Sequence, residues 1–163
     1  MVKKISVILA MFFITVSLGT AAQAVTMFNP CGLLSKEEAA ALVGETVTAP
    51  ELQETRNPLG QKMCRYTPVS SSRLLQISVI RTADMAAKIV AGGQSAKTIY
   101  ITTKQMLHPV EQVPGVGDDA CWGSPGLHIL KGDVYILISV GNTGKAENLA
   151  LARRIADTIL PRI

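Results

Sequence analysis

Residues 127–140 read LHILKGDVYILISV, and this stretch decides the fold. Two short apolar runs flank the turn-forming residues 131–133, which is the pattern of a β-hairpin. Because side chains alternate along a strand, one face of the second run carries only β-branched residues. These are Val134, Ile136, Ile138 and Val140. Tyr135 and Leu137 add apolar side chains to the opposite face, and a strand that is apolar on both faces is predicted to be central in its sheet.

The same patterns predict further elements on either side of this hairpin. Residues 63–69 and 73–81 form a second predicted hairpin, in which Leu75, Ile77 and Val79 share one face. Helices are predicted from a capping box that begins at Ser35, from a Thr82 cap over residues 82–91, and from the apolar stripe of residues 142–160. The intervening segment, residues 96–107, fits a strand by propensity and a helix by its flanks.

The predicted order is therefore helix, strands, helix, strands, helix in one domain that spans residues 25–163. Short antiparallel strands with amphipathic helices predict an α+β fold with the helices packed on one face of the sheet. The other face would then stay open as a surface for a partner.

Residues 1–24 have the three parts of a secretory signal peptide in order. A positive start at Lys3 and Lys4 precedes an apolar run, and small residues end the segment at Ala24. An uncleaved membrane anchor would need about 20 consecutive apolar residues, and this run has about 14. We therefore predict cleavage after Ala24 and a location in the periplasm or outside a bacterial cell, with no part embedded in a membrane after cleavage.

The net charge excludes one class of partner. Residues 1–24 carry two of the 16 basic residues and none of the 12 acidic ones, so the rest has a net charge of +2 in place of +4. Scattered charge of this size is not the clustered basic surface that binds nucleic acid. The predicted partner is an envelope protein or a small ligand, and no cofactor is predicted.

The three cysteines of the chain, Cys31, Cys64 and Cys121, all follow the predicted signal peptide. In an oxidising compartment two of them can pair, and the sequence allows three pairings. We favour Cys31–Cys64 because Cys31 leads into the first helix and Cys64 lies in the first well-defined strand. Cys121 would then have no partner within the chain, and would be a buried apolar side chain, a reactive thiol or half of an intermolecular disulfide, or a metal ligand.

Candidate sites are few, and no catalytic residue is predicted. A glycine-rich loop offers a candidate binding surface, made by Gly115, Gly117, Asp118, Asp119 and Trp122. Its adjacent carboxylates lack the further oxygen ligands that a hard cation needs, so a structural turn is the simpler interpretation.

Soft-metal and hydrolase chemistry are the alternatives to a binding role. Cys121 and His128 are weak candidate metal ligands because no recognised ligand spacing links them. The nucleophile-elbow motif Gly-Xaa-Ser-Xaa-Gly is absent from the sequence, so nothing points to a serine hydrolase.

Short motifs in residues 31–44, 64–66 and 114–122, with the closing hairpin and helix, carry a resemblance. Together they resemble small secreted or lipid-anchored bacterial envelope domains of unknown function, some with a PsbP/Mog1-like α+β sandwich. The chain departs from these domains because it has no lipidation motif and because Cys121 stands where an aromatic residue is expected. The resemblance implies a Cys31–Cys64 disulfide and a binding or envelope role, and it implies no reaction.

The function predicted from the sequence is that of an exported, non-catalytic binding or envelope-associated module. It would act through a sheet face or through the loop of residues 115–126. The alternatives are a periplasmic metal-handling protein and a small secreted hydrolase.

Overall fold

The computed structural model describes residues 28–71 and 73–163. The predicted signal peptide, residues 1–24, and its cleavage site lie outside the described residues. The described strands form one antiparallel sheet in the order β1-β2-β3-β7-β6-β5-β4. They are β1 (Glu51–Glu54), β2 (Lys62–Tyr66), β3 (Leu75–Arg81), β4 (Glu111–Gln112), β5 (Asp119–Gly123), β6 (Gly126–Lys131) and β7 (Val134–Ser139).

Four α-helices accompany this sheet in the described residues, which confirms the α+β class. They are α1 (Lys36–Val43), α2 (Ala87–Ala91), α3 (Ala96–Met106) and α4 (Ala146–Ile159). Short 3-10 helices cover Pro30–Gly32, Thr82–Asp84 and Leu160–Arg162. Helix α1 begins with the predicted capping box, in which Ser35 and Glu38 bond each other's backbone amides, and Gly44 ends it with φ +82°.

The β6–β7 hairpin lies where the sequence predicts it. Lys131 pairs with Val134 across a tight turn, and Gly132 takes the positive φ of +55° that such a turn requires. Strand β7 is the fourth of the seven strands, so the prediction that it is central is confirmed.

One face of the sheet, called the first face, carries the larger apolar core. Helices α1 and α4 pack on it, and α4 contacts β6 and β7 there. Its buried strand residues are Cys64, Tyr66, Leu75, Ile77, Val79, Ala120, Trp122, Leu127, Ile129, Ile136 and Ile138. From α4, the side chains of Leu151, Ile155 and Ile159 complete this core, and full burial of each contributes about 1.5–3 kcal/mol.

The opposite face, called the second face, is packed against α3. Tyr100 of α3 lies in a smaller cluster with Ile80, Cys121, Leu130 and Tyr135. The expectation that the helices pack on one face is therefore wrong. Because β7 is apolar on both faces, both faces of the central strands require cover from a helix.

Two local expectations near α3 are also settled by the structure. Residues 96–106 are helical because Ser95 and Thr98 form a second capping box and Tyr100 is buried under the helix. The helix expected over residues 82–91 is split, since the Thr82 hydroxyl bonds elsewhere: it donates to Asp133 at 2.7 Å and accepts from the Ala96 amide at 2.8 Å.

A disulfide joins Cys31 to Cys64, which confirms the favoured pairing. It ties the Pro30–Gly32 turn to β2 across a sequence separation of 33 residues. Cys121 is free and buried. Within residues 28–71 and 73–163, the helices are too short or too polar to cross a membrane.

Candidate functional site

The predicted binding loop is fastened to the β6–β7 hairpin. The Asp118 carboxylate accepts a hydrogen bond from the Gly132 amide at 2.6 Å, and the Asp118 amide donates to the Leu130 carbonyl at 2.8 Å. Gly117 has φ +60°, and a Cβ there would lie 2.5 Å from the Leu130 carbonyl oxygen. Asp118 and Gly117 therefore have a structural role in this turn.

Of the remaining residues of the predicted loop, Gly115 lies in the turn before β5 with φ +78°, and Asp119 and Trp122 lie on opposite faces of β5. Asp119, on the second face, accepts from Lys104 at 2.8 Å and from Gln112 at 2.6 Å. Burial raises the pKa of Asp119, but these hydrogen bonds outweigh it and hold the pKa below its usual range. Trp122 is buried in the first-face core and donates to the Thr143 carbonyl at 2.8 Å. The five predicted loop residues therefore do not converge on one site, and their binding role stays a prediction.

Cys121 and His128, the weak metal candidates, are brought together by the β5–β6 register. They are directly opposite each other on adjacent strands and are buried on the second face beneath α3. Two ligands alone do not make a metal site, and residues 28–71 and 73–163 hold no group of three or more His, Cys, Asp or Glu side chains that could bind a metal.

The His128 ring is paired with a tyrosine in this cluster. Its Nδ1 lies 2.6 Å from the Tyr135 hydroxyl oxygen, and the two rings stack with centroids 6.0 Å apart. Burial lowers the pKa of His128 and raises that of Tyr135 to about 12. Both groups are therefore neutral at pH 7, and one of them donates this hydrogen bond to the other.

The buried environment of Cys121 disfavours a nucleophilic thiolate. Burial raises the pKa of its thiol, so the thiolate that attacks an electrophile is scarce at neutral pH. Two other polar atoms in this region, His128 Nε2 and the Tyr100 hydroxyl, are buried without a hydrogen-bond partner. Burial also raises the pKa of Tyr100.

The second face has a different character over the first three strands. Helix α3 contacts β6 and β7, while β1, β2 and the Gln76 end of β3 keep partly exposed side chains on this face. We call the surface formed by Gln53, Met63, Arg65 and Gln76 the open half. Its side chains are polar or flexible, and Gln76 Nε2 lies 3.4 Å from Met63 Sδ.

A groove runs from the open half around the β2–β3 turn. Two depressions of about 230 and 390 Å³ share the residues Ser71, Arg73 and Leu74. Arg65 lines the smaller depression, and its Nε atom is buried without a hydrogen-bond partner. We call these two depressions the arginine groove.

Sequence reasoning missed both arginines of this groove. Arg65 stood only inside the motif of residues 64–66, and Arg73 only at the start of a predicted strand. The two arginines line the same depression only because the chain turns back between β2 and β3. The sequence gives no signal for Arg65, because it occupies the partly exposed face of β2 in regular alternation with buried Cys64 and Tyr66, where a charged side chain is ordinary.

Comparisons with protein-family models, with curated proteins and with solved structures find no match for this chain. The resemblance to PsbP/Mog1-like envelope domains thus stays a prediction.

Proposed function

We propose that the chain is an exported, non-catalytic binding module of the bacterial envelope or exterior, and that it holds its ligand on the open half and in the arginine groove. The single observation that carries the proposal is the unequal cover of the second face. Helix α3 packs over the β5–β7 half, whereas the β1–β3 half keeps a partly exposed polar surface that ends in a groove.

The disulfide supports the export part of the proposal. Disulfides form and persist in oxidising compartments, and Cys31–Cys64 fixes the start of the domain to the sheet. The residues that would carry chemistry support the non-catalytic part, since Asp119 is paired with Lys104 and the Cys121 thiol is buried and protonated.

Intact-mass measurement of the protein, purified from the cells that naturally make it, tests the proposal. Native and denaturing non-reducing spectra are compared. We expect a chain that starts at Val25 with one disulfide, together with an added mass in the native spectrum that denaturation removes.

Two matched substitutions locate the ligand. Gln76→Glu changes the open half, and Gln105→Glu makes the same change on an exposed position of α3. Gln76→Glu should reduce the occupancy of the added mass and Gln105→Glu should not. An added mass that responds only to Gln105→Glu, or an uncleaved chain, contradicts the proposal.

A further inference from the structure

We propose that the arginine groove is an oxyanion site, which binds the carboxylate or phosphate group of a ligand between Arg65 and Arg73. This inference rests on the proposed binding function and names the chemistry of its ligand. Arginine presents a planar fork of donors that matches both groups.

Arg65 is held in place with unused hydrogen-bonding capacity. It lies on β2 opposite Gln76 of β3 and Glu51 of β1. Its Nε atom is buried and has no acceptor. A buried donor without a partner is unfavourable, and more so where the group is charged, so a ligand acceptor that reaches Nε is bound more tightly.

Arg73 brings a second positive charge to the same depression. It lines both parts of the arginine groove together with Ser71, whose hydroxyl donates its hydrogen bond to Glu45. In the described residues the ion pairs of arginines involve Arg81 and Arg162, and neither Arg65 nor Arg73 lies within 4.0 Å of a carboxylate. Residues 1–27 contain no Asp or Glu, and residue 72 is a serine.

The acidic side chains around the groove form no salt bridge with either arginine. Glu45 accepts hydrogen bonds from the Ser70 amide at 3.0 Å and from the Ser71 hydroxyl. Glu147 and Lys145 both line the larger depression, and they lie 3.9 Å apart, so their charges offset each other there. Glu51 is the cross-strand neighbour of Arg65. Its exposed carboxylate can compete with a ligand for Arg65 but forms no salt bridge with it.

The shape of the groove suggests where the rest of the ligand lies. The larger depression is lined by Leu74 and Val140 as well as by Asn142 and Asn148. An oxyanion held between the two arginines would leave a short, partly apolar body in contact with this wall. The site therefore fits the charged end of a small organic acid, a peptide or a phosphorylated compound.

Titration of the secreted chain with inorganic phosphate and with acetate tests the inference, with chloride at matched ionic strength as the reference. The Nε–Hε signals of Arg65 and Arg73 are followed by NMR. We expect a saturable shift of both signals with phosphate, with acetate or with both, and none with chloride. Saturation by phosphate alone assigns a phosphate ligand, and saturation by acetate assigns a carboxylate ligand.

Variants separate a site from general charge attraction. Arg73→Gln should weaken binding at least about tenfold, because a charge-assisted pair is lost. Arg65→Lys keeps the charge but removes the fork and should weaken binding to a similar degree. Arg56→Gln is the control, since Arg56 is exposed beyond the other end of β1 and its loss should leave the affinity unchanged.

The absence of a saturable shift in the folded chain, or an equal loss of affinity in Arg73→Gln and Arg56→Gln, overturns the inference. Failure here is distinguishable from failure of the proposed function. A native added mass that responds to Gln76→Glu but not to Arg73→Gln would keep the open half as the binding surface and remove the oxyanion site.

Discussion

The two faces of the sheet are built on different principles. The first face is covered by α1, α4 and the disulfide-bonded start of the domain, and its core is almost entirely apolar. The second face is covered over one half only, and there it buries His128, a free cysteine and two tyrosines.

The first face is suited to stabilising the fold, and the second face is suited to binding a ligand. An apolar face gains free energy roughly in proportion to the area buried, and it requires no matched partners. A face with buried polar groups depends on each hydrogen bond being made, and an uncovered half leaves room for a ligand. We therefore expect the first face to set the stability of the domain and the second face to set its response to ligand and pH.

The largest expected effect comes from adjacent residues of β7 that point to opposite faces. Ile138→Ala removes a fully buried side chain from the first face and should lower the free energy of unfolding by about 2–5 kcal/mol. Leu137→Ala is the matched change on the second face, where Leu137 is partly exposed, and it should cost clearly less. Urea unfolding of both variants measures the difference. Equal losses would show that the two faces contribute alike.

The disulfide provides the next test of the first face. Replacing Cys31 and Cys64 together by alanine should cost about 3–4 kcal/mol in the chain-entropy model for a separation of 33 residues. Thermal unfolding of the double variant measures the loss, and the original chain in reductant is the control. A melting temperature that reductant leaves unchanged in the original chain would contradict this contribution.

The hydrogen bond between Tyr135 and His128 tests the second face. Tyr135→Phe leaves His128 Nδ1 buried and unpaired, which should cost about 1–3 kcal/mol. Adding His128→Leu to that variant removes the unpaired atom, so the double variant should recover part of the loss. Denaturant unfolding of the single and double variants forms the cycle, and strictly additive losses would argue against the pair.

These comparisons also show how far the sequence could predict the fold. The apolar alternation of residues 127–140 identified the central strand, and the motif at Ser35 identified α1, because both signals are local. The segment at Tyr100 could not be assigned, because its β-branched residues favour a strand while burial on the second face favours α3.

The candidate sites were harder to predict because they depend on register and on turns. His128 follows Cys121 by seven residues, and only the tight β5–β6 connection makes them neighbours. Arg65 and Arg73 approach one groove through the geometry of the β2–β3 turn, which spacing alone does not specify. Sequence patterns thus predicted what is buried better than they predicted which polar groups meet.

As the pH is lowered, the free energy of unfolding should fall first because of a histidine on the second face. Burial holds the pKa of His128 below its ordinary value of 6.5, so the unfolded chain takes up a proton before the folded chain does. The stability contributed by this neutral histidine is present above about pH 6.5 and is lost as the pH falls toward the folded pKa. Unfolding measured between pH 7.5 and 5.5, about one unit on either side of that value, should show this slope in the original chain. The slope should vanish in His128→Gln and persist in His108→Gln, which changes an exposed histidine.

At lower pH, protonation of Glu38 on the first face should also lower the free energy of unfolding. We expect this to be the smallest effect of the series. Glu38 of α1 has a pKa lowered to about 2, chiefly by the hydrogen bond from Arg162 and also by the Ser35 amide. A depressed carboxyl pKa stabilises the fold above its unfolded value of about 4.5, and this contribution is lost as the pH falls toward 2.

The Glu38–Arg162 contact is partly open to water, so its contribution is screened and should be modest. Arg162→Gln should flatten the stability curve between pH 4.5 and 2 and leave the His128 slope above pH 5.5 unchanged. Arg153→Gln removes a partly exposed arginine of α4 that donates to the Pro114 carbonyl and pairs with no carboxylate, so it should alter neither limb. If Arg162→Gln also altered the slope near pH 6, the two faces would be coupled through the sheet, and their acid responses could not be assigned to separate clusters.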